Sequence, residues 1–212
     1  MRIIRGNKKL NINEIEYKNL ITNYKDVILD LGTGDGRFVY KNALANKSTF
    51  YIGLDPSEKS LEEFSKKAVK EKVSNTLFVV GSVEQLPIEL NNTINEIYIN
   101  LPWGSLLQAV IKPSDEIIEN LIMLFKDKCG TIKILFGFNP SLEPSETQRL
   151  ELTELSEEFI NNQIIPAFIK HGFYNTKVKS ILPDDLKKID STWGKKISST
   201  LDRKMYYIEL HN

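Results

Sequence analysis

Acids and glycines follow one another closely in the segment "VILDLGTGDGRF" at residues 27–38. An apolar, strand-like run leads into Asp30, and three glycines follow in a G-x-G-x-G pattern from Gly32. Glycines permit a tight turn and let a ligand lie close against the backbone. A second acid, Asp55, ends the next apolar run. Asp30 is placed to pair with a ligand ammonium, and Asp55 is placed to accept hydrogen bonds from the two hydroxyls of a ribose.

The glycine spacing differs from the G-x-G-x-x-G pattern of dinucleotide-binding proteins. A ligand with an amine, a ribose and no phosphate fits S-adenosylmethionine better than NAD, and the segment resembles the large Rossmann-like methyltransferase class. In that class the loop after the third strand holds the adenine ring, and "GSVEQLP" at residues 81–87 has this place. We expect Val83 to pack on the ring and Ser82 or Glu84 to bond its edge. Plain core packing is the alternative for Val83.

A tryptophan stands directly behind a proline in "YINLPWGSLL" at residues 98–107. Ligands of open parallel sheets bind beyond the carboxyl ends of the strands. We therefore expect Trp103 to rim the pocket of the methyl acceptor, with Pro102 stiffening the turn. Packing under a loop is the alternative. Asn100 to Trp103 also fits the Asn/Asp/Ser-x-Pro-aromatic pattern of amino methyltransferases, which hold a planar amine. Both interpretations imply a nitrogen in a flat ring system.

A second tryptophan, Trp193, lies in a long polar stretch at residues 183–204, between the last two predicted strands. A hairpin loop usually has about two to five residues. An insertion of this length is therefore functional or disordered. Enzymes reach a base by taking it out of its stack and holding it between flat faces. Trp193 would supply the second face opposite Trp103.

Strand-like and helix-like segments alternate along the chain. Residues 2–5 and 8–10 flank Gly6-Asn7 as a hairpin, and a helix over 13–24 has Ile15, Leu20 and Ile21 as its apolar face. Continuous apolar strands that alternate with helices indicate a parallel sheet covered on both faces. The prediction is an α/β fold of the Rossmann-like class I methyltransferase type. It has a seven-stranded, mostly parallel sheet with an antiparallel last strand, an N-terminal hairpin and a long insertion between the last two strands. Its strands are predicted at 26–32, 50–55, 76–82, 96–101, 131–138, 173–182 and 205–211.

The composition suits one domain. The chain has 212 residues, of which 41% are hydrophobic, enough for a single core. We assign 1–212 to one methyltransferase domain, with a hairpin and helix at 1–25 and a target-binding insertion at 183–204. The 28 basic and 28 acidic residues balance, but they are segregated. Residues 1–25 carry six basic and two acidic side chains, and residues 170–204 carry nine and four. A basic face is one outcome, and scattered solvated helix faces are the other.

Cysteine usage and the absence of apolar spans favour the cytoplasm. The one cysteine, Cys129, is predicted to be buried, and a single cysteine cannot form an internal disulfide. No segment resembles a signal peptide or approaches the ~20 apolar residues of a membrane span. His171 and His211 have no metal-ligand partner in the sequence, so we predict no metal.

Four motifs carry a family resemblance. In their order, "DLGTGDGR", "FYIGLDP", "LPWGSLL" and "STWGKK" closely resemble the aminoglycoside-resistance 16S ribosomal RNA methyltransferases of the Kam/Npm type, which modify N1 of adenine 1408. The similarity covers nearly the whole chain. The first motif is general to the class, whereas the Pro-Trp-Gly and Ser-x-Trp pair is far more specific. Leu101 stands where a family member can have Phe, and Asp202 interrupts the basic stretch after Trp193.

The resemblance implies a role for each matching residue. Trp103 and Trp193 sandwich the flipped adenine, and Ser191 positions the second tryptophan. S-adenosylmethionine is the cofactor, and the enzyme is expected to act as a monomer on 16S rRNA in the 30S subunit. The cofactor-binding residues are Asp30, Gly32, Thr33, Gly34, Asp55, Pro56, Ser82, Val83, Glu84, Leu101 and Ser105. The rRNA-binding residues are Lys66, Lys67, Lys70, Arg149, Lys196 and Arg203.

Two other functions stay open. One is another RNA or amine N-methyltransferase, acting on a tRNA adenine or on an exocyclic amine through Asn100. The other is a non-catalytic ribosome-binding module with the same fold, against which the intact Asp30, Gly32, Gly34 and Asp55 argue. N1 of adenine carries an in-plane lone pair and no proton. The expected mechanism therefore has no general acid or base and depends on positioning and desolvation.

Overall fold

One mixed sheet organises the chain. The computed structural model describes residues 1–141, 143–152, 155–181 and 204–212. Within these ranges, nine strands form the sheet in the order β2-β1-β5-β4-β3-β6-β7-β9-β8. The strands are β1 (Arg2–Arg5), β2 (Lys8–Asn11), β3 (Asp26–Leu31), β4 (Thr49–Asp55), β5 (Thr76–Val80), β6 (Glu96–Asn100), β7 (Thr131–Phe136), β8 (Tyr174–Ile181) and β9 (Met205–His211).

Helices connect most of these strands. They are α1 (Glu14–Ile21), α2 (Arg37–Ala45), α3 (Glu58–Lys70), α4 (Gly104–Ile111), α5 (Asp115–Leu124), α6 (Pro144–Arg149), α7 (Glu157–Phe159) and α8 (Ile165–Lys170). A π-helical segment, Ile160–Ile164, joins α7 to α8. Within the described ranges, no helix combines the length and apolarity needed to cross a bilayer.

The strand directions confirm the predicted class. Strands β5, β4, β3, β6 and β7 are parallel, because each crossover returns through a helix or a long connection. Strand β9 is antiparallel to both β7 and β8. The N-terminal hairpin belongs to this sheet, since β1 pairs with β5 and places Ile3 opposite Val79. The hairpin thereby covers backbone groups of β5 that would otherwise form an open edge.

The sheet is buried on both faces around its central strands. Leu29 and Ile97 belong to the larger core cluster on one face, together with α5 and α8. On the other face, Leu61 and Phe64 of α3 pack with Phe78 of β5. Burial on both sides explains why the central strands read as continuous apolar runs. Strands β4 and β5 follow β3 on one side, and β6 and β7 extend the sheet on the other. The strand order therefore reverses between β3 and β6.

Two local expectations were wrong. Helix α1 begins after the Asn13 cap as predicted, but Ile15 is 72% exposed and Leu20 is 43% exposed. The capping box fixes the start of this eight-residue helix so that Tyr17 faces the core, where its hydroxyl lies 2.8 Å from the Thr93 hydroxyl. Cys129 is exposed, because a tight turn at Lys126–Lys128 separates α5 from β7 and leaves the cysteine in the connection. Helix α4 was not predicted from the sequence.

The long insertion remains a prediction. Residues 182–203 lie outside the described residues. The predicted roles of Ser191, Trp193, Lys196 and Arg203 therefore stay predictions. Strands β8 and β9, which flank the insertion, are present and paired. The assignment of 1–212 to one domain likewise stays a prediction.

Candidate active site

A cavity of about 540 Å³ opens where the carboxyl ends of β3, β4, β5 and β6 meet. Its volume is in the range of about 300–1,000 Å³ that is typical of small-molecule sites. It lies at the reversal of strand order, where ligands of open α/β sheets bind. The structure brings most of the predicted site residues together in its lining: Asp30, Gly32, Thr33, Gly34, Asp55, Pro56, Ser82, Val83, Leu101, Trp103 and Ser105.

The glycine turn after β3 is tied to the next strand. The N–H groups of Gly32 and Thr33 both donate to the Leu54 carbonyl, at 2.8 and 3.0 Å. Gly32 has a φ of +77°, and a Cβ at this position would lie 2.4 Å from the Leu106 side chain. A Cβ on Gly34 would instead meet nothing within 4 Å. The turn is therefore packed tightly behind Gly32 and leaves free space in front of Gly34.

Asp30 is a buried carboxyl that faces the cavity. It is 2% exposed, and burial raises its pKa to about 6. The Asn100 amide nitrogen donates to its Oδ1 at 3.0 Å, which opposes this rise. Among the described residues, no basic side chain forms an ion pair with Asp30. A buried anion without a counterion fits a ligand ammonium, which would favour the ionised carboxylate. The residues present therefore fit the amino group of S-adenosylmethionine.

Asp55 is held from two directions. Its Oδ2 accepts a hydrogen bond from the Gly34 N–H at 2.9 Å, and its Oδ1 accepts one from the Ser57 N–H at 2.8 Å. Burial raises the pKa of Asp55, and these two bonds lower it. A carboxylate oxygen can accept two hydrogen bonds. Asp55 therefore keeps acceptor capacity for ribose hydroxyls while the backbone fixes its orientation.

The loop after β5 contributes an apolar surface to the same cavity. Val83 is 3% exposed and belongs to the main core cluster while it also lines the cavity. The two interpretations of Val83 are thus compatible, since one side chain serves core and cavity together. Glu84, in contrast, is exposed and is not among the residues that line the cavity.

Glu84 lies near serines from two segments around the site. Burial raises the pKa of its carboxyl, but the Ser82 and Ser105 side chains and its own backbone together outweigh this, and the pKa lies below its ordinary value. Ser82 belongs to the loop after β5, and Ser105 stands at the start of α4, beside Trp103. This proximity and the bond from Asn100 to Asp30 were missed by the sequence reasoning. A polar residue at the end of a predicted strand was the available signal for Asn100.

Trp103 lies at the rim of the cavity and is 40% exposed. It stands at the N-cap of α4 in extended backbone conformation. Leu101, directly before Pro102, has a φ of +53°, and Gly104 has a φ of +62°. A left-handed conformation is strained for a branched residue such as leucine. The Leu101 N–H donates to the Leu135 carbonyl at 2.7 Å. This bond fixes to β7 the turn that precedes the outward-facing Trp103.

The predicted rRNA-binding lysines lie on the exposed face of α3. Lys66 pairs with Glu62, and Lys67 lies 3.5 Å from Glu63 and 4.2 Å from the Phe64 ring centroid. Exposed ion pairs of this kind stabilise proteins by only about 0–1 kcal/mol, so these lysines can exchange partners. Lys70 is exposed at the end of the same helix, and Arg149 is exposed at the end of α6.

Nearly the whole chain matches a protein family. The family model described as "NpmA: 16S rRNA (adenine(1408)-N(1))-methyltransferase" matches residues 2–211. The chain belongs to this family. The resemblance drawn from the four sequence motifs is thereby confirmed.

Individual relatives match over nearly their full length. A 16S rRNA (adenine(1408)-N(1))-methyltransferase of Escherichia coli is 34% identical, over 100% of this chain and 98% of its own. A solved 30S ribosomal A1408 methyltransferase from an uncultured bacterium is 38% identical with a TM-score of 0.77, covering 99% of this chain and 98% of that one. The aminoglycoside resistance methyltransferase NpmB1 is 33% identical with a TM-score of 0.82, covering 100% and 99%. The overall fold described above is thus shared with these solved structures.

Proposed function

We propose that this protein methylates N1 of adenine 1408 in 16S rRNA of the 30S subunit and thereby confers resistance to aminoglycosides. The observation that carries the proposal is that one cavity contains residues suited to two different ligands. Asp30, buried and without a basic partner among the described residues, lies inside it, and an exposed Trp103 lies at its rim. The first suits a cationic methyl donor, and the second suits a flat base. The full-length match to the family supports this combination.

The cofactor wall, which we define as residues 30–34 and Asp55, suits S-adenosylmethionine. When bound, this cofactor supplies an electrophilic methyl group. Asp30 would pair with its ammonium, and Asp55 would accept from its ribose hydroxyls. Val83 and Ser82 would hold the adenine ring, with Glu84 in the same loop. The remaining proposed contacts are those of Gly32, Thr33, Gly34, Pro56, Leu101 and Ser105.

The target wall, which we define as residues 101–105, would orient the base. N1 of adenine has a lone pair and no proton, so no side chain needs to remove one. Trp103 stacks on the base and excludes water from one face, and Trp193, positioned by Ser191, is proposed for the other. The methylated base is cationic, and an indole face attracts a cation by about 1–2 kcal/mol when desolvated. Because this attraction grows as charge develops on the base, it lowers the barrier.

Docking to the 30S subunit would use phosphate contacts. We propose Lys66, Lys67, Lys70 and Arg149 for this role, together with Lys196 and Arg203. Cationic side chains on RNA phosphates fix register and orientation, which the cofactor wall cannot do. We propose that the enzyme acts on the subunit as a monomer. A 30S substrate further supports a cytoplasmic location.

The family match bears on the alternative substrates. An exocyclic-amine methyltransferase would use the Asn100 amide oxygen to accept from the target nitrogen. The Asn100 amide nitrogen donates to Asp30 at 3.0 Å, which leaves that oxygen with its acceptor capacity. The match to a family of adenine-N1 methyltransferases over residues 2–211 favours a ring nitrogen as the acceptor. The intact cofactor wall likewise disfavours a non-catalytic module.

Primer extension tests the proposed function. Purified 30S subunits are incubated with the protein and S-adenosylmethionine, and reverse transcription is followed along 16S rRNA. Methylation at N1 blocks Watson–Crick pairing, so we expect a stop at adenine 1408. Trp103→Ala is the matched control, because it leaves the cofactor wall intact. Cells that express the native chain are expected to survive kanamycin and apramycin. A stop at another nucleotide, or methyl transfer to tRNA alone, would replace this function by the alternative.

A further inference from the structure

Two cations oppose each other at the turn of the N-terminal hairpin. The register of β1 and β2 places Arg5 directly opposite Lys8, and both side chains are exposed. Like charges in directly opposed positions of an antiparallel pair destabilise it. Within the described part of the chain, neither side chain has an ion pair or a hydrogen bond. The hairpin therefore keeps an unfavourable arrangement that an added anion would relieve.

The other two cations of the hairpin share one carboxylate. Arg2 lies 3.1 Å from Glu58, and Lys9 also pairs with Glu58. Glu58 offsets one of these two charges, whereas the pair at the turn has no carboxylate partner among the described residues. Lys72, exposed after the end of α3, lines the same 500 Å³ cavity as Arg5. Glu16 also lines this cavity, but its carboxylate accepts from the Asn13 N–H at 2.8 Å.

The hairpin turn is fixed to the helix that carries the proposed rRNA-binding lysines. The Gly6 N–H donates to the buried Ser65 hydroxyl at 2.8 Å, and this hydroxyl donates to the Ile4 carbonyl at 2.9 Å. Ser65 directly precedes Lys66 in α3. The opposed pair is therefore held in a defined position beside a surface that already presents lysines.

We propose that Arg5 and Lys8 together bind a backbone phosphate of 16S rRNA and extend the docking surface from helix α3 to the hairpin turn. The proposal rests on the proposed function. A phosphate offers several acceptor oxygens, which the guanidinium fork of Arg5 and the ammonium of Lys8 can share. Because β1 is antiparallel to β5, Arg5 lies at the amino end of β5, away from the catalytic cavity. The pair would therefore contribute to binding and not to the chemical step.

Lys8→Glu separates binding from stability. This change converts the opposed cations into an Arg–Glu cross-strand pair, so we expect the thermal midpoint to stay the same or rise. Affinity for 30S subunits should fall. The slope of log K against log salt should lose roughly 0.7–0.9, the value of one phosphate contact. The affinity for S-adenosylmethionine and the kcat at saturating 30S should not change. Lys126→Glu is the matched control, since Lys126 is also exposed and has no ion pair among the described residues.

The outcomes distinguish the two proposals. If the unaltered protein methylates adenine 1408 while Lys8→Glu matches Lys126→Glu in 30S affinity and salt slope, the hairpin contact is refuted and the proposed function stands. Arg5→Gln should weaken binding in the same direction as Lys8→Glu, and full affinity in both variants overturns the shared phosphate. If the unaltered protein methylates no 30S subunit, the proposed function fails and the hairpin contact fails with it.

Discussion

The cofactor wall and the target wall of the same cavity differ in how far their side chains are exposed. On the cofactor wall, polar groups are buried and bound: Asp30 is 2% exposed, and Asp55 accepts two backbone hydrogen bonds. On the target wall, Trp103 is 40% exposed, and the backbone beside it at Leu101 is left-handed. A small ligand can be enclosed by a preformed site, whereas a base of a large RNA must be admitted from outside. The difference is what we expect if the proposed base enters the cavity at the target wall.

The largest expected effect comes from removing an aromatic face. Trp103→Ala and Trp193→Ala should each abolish most methylation, because stacking is worth about 1–3 kcal/mol per base and the orientation of N1 is lost as well. S-adenosylmethionine affinity, measured by calorimetry, should stay nearly native. The losses should be non-additive in the double variant, since the two faces act as a unit. Phe at either position keeps a π face and should retain part of the activity. Methylation at the native rate by Trp193→Ala would exclude Trp193 as the second stacking face.

Substitutions in the cofactor wall should reduce cofactor affinity, which the tryptophan substitutions leave nearly native. Asp30→Ala and Asp55→Ala should each weaken S-adenosylmethionine binding roughly ten- to a hundredfold, because loss of a hydrogen bond to a charged group costs about 1.5–3 kcal/mol. Affinity for the 30S subunit should hardly change. Calorimetry of both variants, with Trp103→Ala as the control for an intact cofactor wall, checks this prediction. Unchanged cofactor affinity in both would remove the cofactor assignment.

The protonation of Asp30 predicts a pH dependence that is confined to the cofactor wall. Its pKa of about 6 in the free protein means that the carboxyl is ionised above this pH and increasingly neutral below it. The contact requires an ionised carboxyl and a protonated ammonium, so cofactor affinity should be highest near pH 7, between the pKa of Asp30 and that of an α-amino group at about 7.7–8.0. It should fall towards tenfold per pH unit as the pH drops below 6. Asp30→Asn should bind weakly at every pH. A native curve that is flat from pH 5 to 8 would contradict the proposed ammonium contact.

The smallest expected effect tests the strained backbone of the target wall. Leu101→Gly and Leu101→Ala remove nearly the same packing, but only glycine adopts a φ of +53° without strain. Urea denaturation should therefore find the glycine variant more stable than the alanine variant by about 1 kcal/mol. Equal stabilities, or a more stable alanine variant, would show that the backbone at Leu101 carries little strain in solution.

Much of the fold was predictable because it depends on local patterns. Asp30 and Asp55 each stand where an apolar run ends, and parallel strands bring such ends to one edge of the sheet. The position of Trp103 followed from the same rule. The burial of α1 was not predictable in this way: Ile15 and Leu20 fit an apolar stripe, yet Tyr17 is the residue that packs inward. An eight-residue helix has too few turns for its pattern to decide which face is buried.

The sequence by itself determined the alternation of strands and helices, the glycine turn, the two acids and the exposed tryptophan, since each follows from residue type and spacing along a few neighbouring positions. The tertiary structure alone decided the contacts between distant segments. It joined Asn100 to Asp30, placed Glu84 near Ser105, and paired the hairpin with β5. Such contacts depend on how the strands are ordered and packed, and strand order is set by the burial of the whole sheet, which no short window of sequence contains.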